Sequence, residues 1–299
     1  MSDFHAPAPG RLFVFGMGYS ARHLAATLLA AGWRVAGTTR SPEKAAELRA
    51  MGVEPFLFDR DQPLADAAAA LAGTTHLLAS VPPDGAGEPV LDAHGTDIAA
   101  LSGLAWAGYL STTGVYGDTG GTWVTEDAPL KATGTRGLRR VAAEQGWLDL
   151  FQNQGMPVHI FRLPGIYGPG RSAIDALRQG TARRIDKPGH RFGRIHVVDI
   201  AGALMASMAR PYPGRVYNVV DDEPAESAAV VAHAADLLGV PPPPLQAFDP
   251  QALGPMAASF YADNRLVTND RLKAELGYRL TYPSFRDGLA AQLVAERQG

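Results

Sequence analysis

Six residues, Gly16-Met17-Gly18-Tyr19-Ser20-Ala21, carry the strongest chemical signal in the chain. They follow an apolar run at 12–15 and fit G-x-G-x-x-G/A, a pattern in which each small residue has a mechanical task. Gly16 permits a tight turn, Gly18 lets the backbone touch a pyrophosphate, and Ala21 lets the next helix lie close to the strand. The start of that helix, at Tyr19 and Ser20, offers free N–H groups and a positive dipole end to phosphates. The pattern points to a dinucleotide, and so to a class of chemistry.

The end of the next strand, at 33–38, sets a preference between two dinucleotides. An NAD site places Asp or Glu there for the ribose 2′-hydroxyl. This chain has Thr38-Thr39-Arg40-Ser41. Arg40 can pair with a 2′-phosphate, assisted by the hydroxyls of Thr38 and Ser41, which favours NADP over NAD. The same residues also read as a solvated arginine followed by Ser41 as helix cap and Pro42 at the first helical position, and the two readings are compatible. Asp59 follows the third strand, where a carboxylate can accept the adenine amino group or cap a helix. Ser80 and Pro82 lie in SVPP after the fourth strand and are expected to line the cofactor cleft. Residues 82–89, rich in Pro and Gly, read as a mobile loop over it.

The elements that must position these groups alternate. Short apolar runs near 11–16, 33–38, 53–58, 75–79, 106–111, 157–162 and 215–220 read as strands. Helical patterns fall near 19–31, 42–51, 63–71, 92–101, 135–152 and 197–209. Such alternation predicts an α/β fold, a doubly wound parallel sheet covered on both faces. The last third differs. A helix at 225–238 ends near Gly239 before the four prolines at 241–244, and helices follow near 269–276 and 284–295. The expected division is a dinucleotide-binding unit at 11–168, completed by 195–222, with 169–194 and 223–299 forming a smaller substrate lobe.

Composition narrows the function classes. The 299 residues are 46% hydrophobic and 19% charged, with a net charge of −3, so no global basic field points to nucleic acid or membrane. With no cysteine, thiol catalysis, disulfides and cysteine-bound zinc are excluded. The scattered histidines show no metal spacing. Residues 1–10 lack a leader pattern and no 18-residue apolar span occurs, so a cytoplasmic protein is expected.

Further strings, in order along nearly the whole chain, resemble the extended short-chain dehydrogenase/reductase family, which contains NAD(P)-dependent sugar-nucleotide epimerases and dehydratases. They are LSTTGVYGD at 110–118, FRLPGIYGPGR at 161–171, RIHVVDIAGAL at 194–204, YNVVDDEP at 217–224 and NDRLKAELGYRLTYPSFRDGL at 269–289. The resemblance is to an atypical, epimerase-like branch that begins with G-x-G. It implies that Thr112 sits at the position of the catalytic Ser/Thr and that Pro164 borders the nicotinamide. It also implies a homodimer through the helices near 92–101 and 135–152.

The resemblance breaks at the family's Tyr-x-x-x-Lys. With Glu144 aligned to the acidic residue beyond it, Arg140 stands for Lys and Arg136 for Tyr, and no Tyr occurs between Gly117 and Ile166. Arginine cannot shuttle a proton, but it can bind ribose hydroxyls, an oxyanion or a carboxylate. Arg140 can therefore keep the ribose role and Arg136 can bind an anionic substrate, unless Arg136, Arg140 and Glu144 are only an exposed ladder on one helix face. Tyr116 and Tyr167, on loops at the sheet's carboxyl edge, and His196 are the remaining proton sources, or else structural anchors. A basic strip from Arg162 to Arg194, including Arg171, Arg191 and Arg194, suits an anionic or sugar-nucleotide substrate or a solvated face. Three functions remain open: an oxidoreductase or epimerase with a non-standard acid/base, a non-catalytic NADP-binding sensor, and a lyase or hydrolase using the arginines without redox.

Overall fold

The computed structural model describes residues 8–254, 258 and 260–298. Residues 1–7, which bear on the leader reading, lie outside that set. The chain begins β1 (Arg11–Phe15), α1 (Tyr19–Ala30), β2 (Arg34–Thr39), α2 (Pro42–Ala50), β3 (Glu54–Leu57), α3 (Ala67–Leu71), β4 (His76–Ala79) and α4 (Pro89–Ala99). It continues with β5 (Trp106–Thr112), a 3-10 turn (Thr113–Tyr116), β6 (Trp123–Val124), α5 (Thr135–Gln154), β7 (Val158–Leu163), β8 (Gly165–Tyr167), α6 (Ala173–Arg178), β9 (Arg184–Asp186) and β10 (Arg194–His196). The last elements are α7 (Val197–Ala209), β11 (Val216–Asn218), α8 (Ser227–Leu238), β12 (Leu245–Ala247), β13 (Leu266–Val267), α9 (Asp270–Leu276) and α10 (Phe285–Gln298).

Seven strands form one sheet in the order β11-β7-β5-β4-β1-β2-β3, and every pairing is parallel. The chain therefore has the doubly wound, Rossmann-like architecture. β1 shows why: all five of its residues are buried, and the four apolar ones alternate between two cores. Leu12 and Val14 enter a core shared with α1 and α7, while Phe13 and Phe15 enter the opposite one with Val90 of α4 and Trp147 of α5. A strand covered on both faces reads as a near-continuous apolar run, as at 12–15; Arg11 at its start is buried with its guanidinium donating to the Ala70 carbonyl and Thr74 Oγ1. The order reverses between β1 and β4, so their carboxyl ends diverge into a crevice, the usual place for a ligand in such sheets.

The shorter strands escape sequence reading. β10 pairs with β8, β12 with β9 and β13 with β6, each over two or three residues. They stitch the later segments over the carboxyl edge. Asp199 of α7 secures the C-terminal part by accepting Tyr278 Oη at 2.8 Å and the amides of Thr281 and Tyr282 at 2.6 and 3.0 Å. Among the described residues, no helix is long and apolar enough to cross a membrane.

Candidate active site

The glycine turn is built from below by β2. Gly16 adopts φ +87°, and a Cβ there would lie 3.0 Å from the Val81 side chain. Its amide donates to Thr38 Oγ1 at 2.8 Å, and the Met17 amide donates to the Thr38 carbonyl at 2.9 Å. Thr38 is buried, so its hydroxyl supports the turn. This corrects the expectation that it reaches a 2′-phosphate. Gly18 starts α1 with no side-chain cap. Among the described residues the amides of Tyr19, Ser20 and Ala21 have no acceptor, and a Cβ on Gly18 would project into open space. Ala21 is buried against the sheet. A helix start with free amides and room for a phosphate above it fits a dinucleotide pyrophosphate.

This turn opens on a cavity of about 250 Å³ lined by Tyr19, Ser20, Ser80, Ser111, Thr112, Arg140, Pro164 and Arg171, among others. Tyr19 spans its mouth, donating from Oη to the Pro169 carbonyl at 3.0 Å, with the Arg171 guanidinium 5.7 Å from its ring centre. Burial raises the Tyr19 phenol above its ordinary value, and Arg171 partly offsets the rise. From the far side, Arg140 Nη1 donates to the Leu110 carbonyl at 2.6 Å and to Tyr109 Oη at 2.9 Å. Those two bonds fix the guanidinium at the end of β5. Thr112 closes β5; its hydroxyl accepts the Gly114 amide at 3.1 Å. Thr112 and Pro164 also line a second, smaller cavity of about 110 Å³ together with Arg191 and Arg265. The two cavities thus meet at Thr112.

Several expected site residues lie elsewhere. Tyr116 is buried, and its hydroxyl donates to Asn218 Oδ1 at 2.7 Å and accepts Arg162 Nη1 at 2.8 Å. Burial raises its phenol above the usual value. Tyr116 is therefore an interior anchor, which corrects its reading as an acid/base. Arg136 is exposed on α5 and lines neither cavity, so the geometry does not bring it to the reacting region. Glu144 is not part of an exposed ladder. It is buried, with Arg162 Nη2 at 2.7 Å and Ser111 Oγ at 2.5 Å. Asp59 accepts the amides of Asp61 and Gln62 at 2.9 and 2.8 Å, so its carboxylate shapes a turn. Ser41 caps α2 by accepting the Lys44 amide at 3.3 Å. Arg40 is exposed at the end of β2 and has no hydrogen-bond or ion-pair partner among the described residues.

The loop after β4 is tied down. Pro82 is exposed on it and Ser80 faces the cleft. Arg60 bridges Asp84 and Asp92 at 2.5 and 2.8 Å, and Asp84 Oδ1 accepts the amides of Ala86 and Gly87. These bonds join the loop to residue 60 and to α4. Tyr167 donates to the Ser284 carbonyl at 3.1 Å, and His196 accepts the Val198 amide at 3.2 Å as the cap of α7. Both are anchors.

The basic strip disperses in space. Arg162 is the buried partner of Glu144, Arg178 pairs with Glu296 at 2.7 Å, and Lys187 donates to the Tyr261 carbonyl. Arg194 turns inward, donating to the carbonyls of Phe192 and Ala225 at 3.0 Å each. That corrects its reading as a substrate ligand. Arg171 and Arg191 are the members that face the cavities. Arg265, which the sequence reading passed over, lines the second cavity; no local pattern around NRLV marks it.

Comparison with known proteins follows the same outline. The chain is 52% identical, at a TM-score of 0.88, to a functionally unknown conserved protein from Silicibacter pomeroyi DSS, covering 96% of this chain and 99% of that one. It belongs to the family of that protein. Over 145 residues, 44% of this chain and 46% of the relative, it is 35% identical to a 3-diazoavenalumate denitrifying reductase from Streptomyces sp. The structure of dTDP-glucose 4,6-dehydratase from Bacillus anthracis str. Ames, solved in complex with NAD, shares the fold at a TM-score of 0.77 and 15% identity over 97% of each chain. No family model matches the chain. The chain thus has the fold of the epimerase/dehydratase structures it resembles.

Proposed function

We propose that this chain is an NAD(P)-binding oxidoreductase of the epimerase/dehydratase-like type, NADP-preferring, acting on an anionic substrate with a non-standard acid/base. The observation that carries the reading is the meeting of the uncapped α1 N-terminus, Arg140 and Thr112 around one cavity. The free amides at Tyr19 to Ala21 and the open space above Gly18 would hold the pyrophosphate. Arg140, with one Nη committed to β5, has further donors for ribose hydroxyls. Arg40, unpaired at the end of β2, would meet a 2′-phosphate, with Ser41 beside it. A reductase that resembles 44% of this chain, and NAD in the dehydratase of the same fold, support redox use of the site.

A bound nicotinamide would supply or accept hydride. This chain's own part is to hold charge. Thr112 can donate to a substrate oxygen, and Arg140 and Arg191 raise the positive potential around it. Among the described residues the phenol that lines the cleft is Tyr19, and its proton is engaged by the Pro169 carbonyl. The site therefore suits acceptors whose reaction needs charge stabilisation more than a strong protein acid. The same substitution of the Tyr-x-x-x-Lys positions by Arg136 and Arg140 supports the second reading, a dinucleotide-binding sensor without turnover.

Calorimetric titration with NADPH, NADP and NADH tests the reading. NADPH should bind more tightly than NADH, and Arg40→Ala should weaken NADPH by about tenfold or more with little change for NADH. Equal losses would remove the NADP preference, and no binding of any dinucleotide would remove the reading. Reduction or oxidation of bound cofactor by a panel of anionic substrates then separates enzyme from sensor.

A further inference from the structure

The smaller cavity beyond Thr112 has a composition of its own. Arg191 is exposed on its rim and forms no ion pair among the described residues. Arg265 reaches in from the segment before β13. It pairs with Asp263 at 2.6 Å, but its Nε is buried without a partner. A Cβ on Gly114 would lie 3.3 Å from both Arg265 Nη1 and Thr112 Oγ1. The glycine therefore leaves room for the guanidinium to approach the end of β5. Asp263 offsets one of the two guanidinium charges, and its other oxygen accepts Thr133 Oγ1 at 2.9 Å. Two arginines against one lining carboxylate leave the cavity net positive by one charge. Phe192 and Phe260 supply aromatic walls.

The segment that carries Arg265 is fixed by Asn264. Its amide donates to Asp118 Oδ1 at 2.9 Å, its side chain donates to the Gly189 carbonyl at 3.1 Å, and its carbonyl accepts the amides of Thr119 and Gly121. Three loops distant in sequence are thereby clamped together around a guanidinium. A preorganised donor of this kind loses little freedom on binding an anion.

We propose that this cavity is a carboxylate subsite in which Arg265 and Arg191 grip the anion of a small aromatic acid. Phe192 and Phe260 hold its ring, and Thr112 faces its reactive end. The proposal rests on the reading of the adjoining cavity as the nicotinamide pocket. A volume of about 110 Å³ holds one ring and a carboxylate, whereas drug-sized ligands occupy about 300–1,000 Å³. A single net positive charge matches a monoanion better than a phosphate dianion or a diphosphate. The chemistry that fits is thus a small acid and not a sugar nucleotide.

Calorimetry on the full chain, with and without NADPH, decides it, using benzoate, cinnamate, inorganic phosphate and UDP as probes. Saturable binding of benzoate or cinnamate is expected. Arg265→Gln and Arg191→Gln should each weaken it by about tenfold or more while leaving NADPH affinity unchanged. Phe260→Ala should weaken cinnamate and spare phosphate. Arg191 and Phe260 are exposed, so their variants keep the test valid if Arg265→Gln fails to fold. The proposal is overturned if neither acid binds saturably under either condition, if the arginine variants bind as wild type, or if phosphate or UDP binds more tightly than both acids. Failure of wild type to bind NADPH would instead remove the dinucleotide reading, since acid binding without cofactor still tests the subsite.

Discussion

Arg162 and Glu144 form a buried ion pair across the interior, from β7 to α5, with Nη2 2.7 Å from Oε2. The pair is fully equipped with hydrogen bonds. Ser111 donates to Glu144 from β5, and Arg162 reaches Tyr116 Oη and the Glu126 carbonyl. Removing one partner would strand the other charge away from water. Glu144→Ala should therefore destabilise the fold by about 3–5 kcal/mol, read by urea denaturation. Arg162→Met in the same background should recover part of that loss, because it removes the stranded charge. A Glu144→Ala loss below about 1 kcal/mol is what an exposed bridge would give and would contradict the burial.

Gly16 and Gly18 should fail in different ways although they share one motif. Gly16 combines φ +87° with a Cβ contact at 3.0 Å to Val81, so Gly16→Ala should cost about 1–3 kcal/mol of stability. Gly18 has φ −82° and open space where a Cβ would go. Gly18→Ala should fold with a change within about 0.5 kcal/mol. Its methyl group would instead fill the space read as the pyrophosphate site and weaken NADPH by about tenfold or more. Thermal denaturation and calorimetry on the same two variants separate the effects. Equal NADPH affinity in wild type and Gly18→Ala would argue against a phosphate above that residue.

Legibility in the sequence followed the length over which a pattern repeats. β1 announced itself because its apolar run at 12–15 is buried on two faces, and α5 because it is a helix of 20 residues. Strands of two or three residues, such as β6 and β13, are too short to show any period, and they exist because the loops around them converge. The glycine turn was legible because its geometry is local. Tyr116 stays ambiguous in the sequence for the opposite reason. Its motif places it at the sheet edge, but its hydroxyl is fixed by Asn218, 102 residues away. A solvated face stays open for Glu144 and Arg162 in the sequence because charged residues are usually exposed, and only the fold shows that each is the other's partner. Arg265 depends on the Asn264 clamp, which joins loops near 118 and 189 that no sequence window contains together.

His159 makes the acid side of the stability profile predictable. It is buried on β7, with Nε2 accepting the Tyr212 amide at 2.9 Å and Nδ1 3.3 Å from the Ala107 carbonyl. A neutral ring carrying its proton on Nδ1 satisfies both contacts, whereas protonating Nε2 would set it against the Tyr212 N–H. Burial accordingly pushes its pKa down to about 4, below the ordinary 6.5. Between those values the unfolded chain binds the extra proton and the folded chain does not, so stability rises with pH. The contribution is complete above pH 6.5 and is lost as pH falls from 6.5 towards 4, on the order of 3 kcal/mol in all. His76 and His196, also lowered to about 4 by burial, act with the same sign. Glu88, which burial raises to about 7, acts in the opposite direction as pH rises. The test is therefore the difference between wild type and His159→Gln, whose side chain can still accept the Tyr212 amide. Wild type should lead at pH 7, and its lead should shrink steadily towards pH 4; a difference that stays constant across that range would mean that His159 titrates normally in the folded protein.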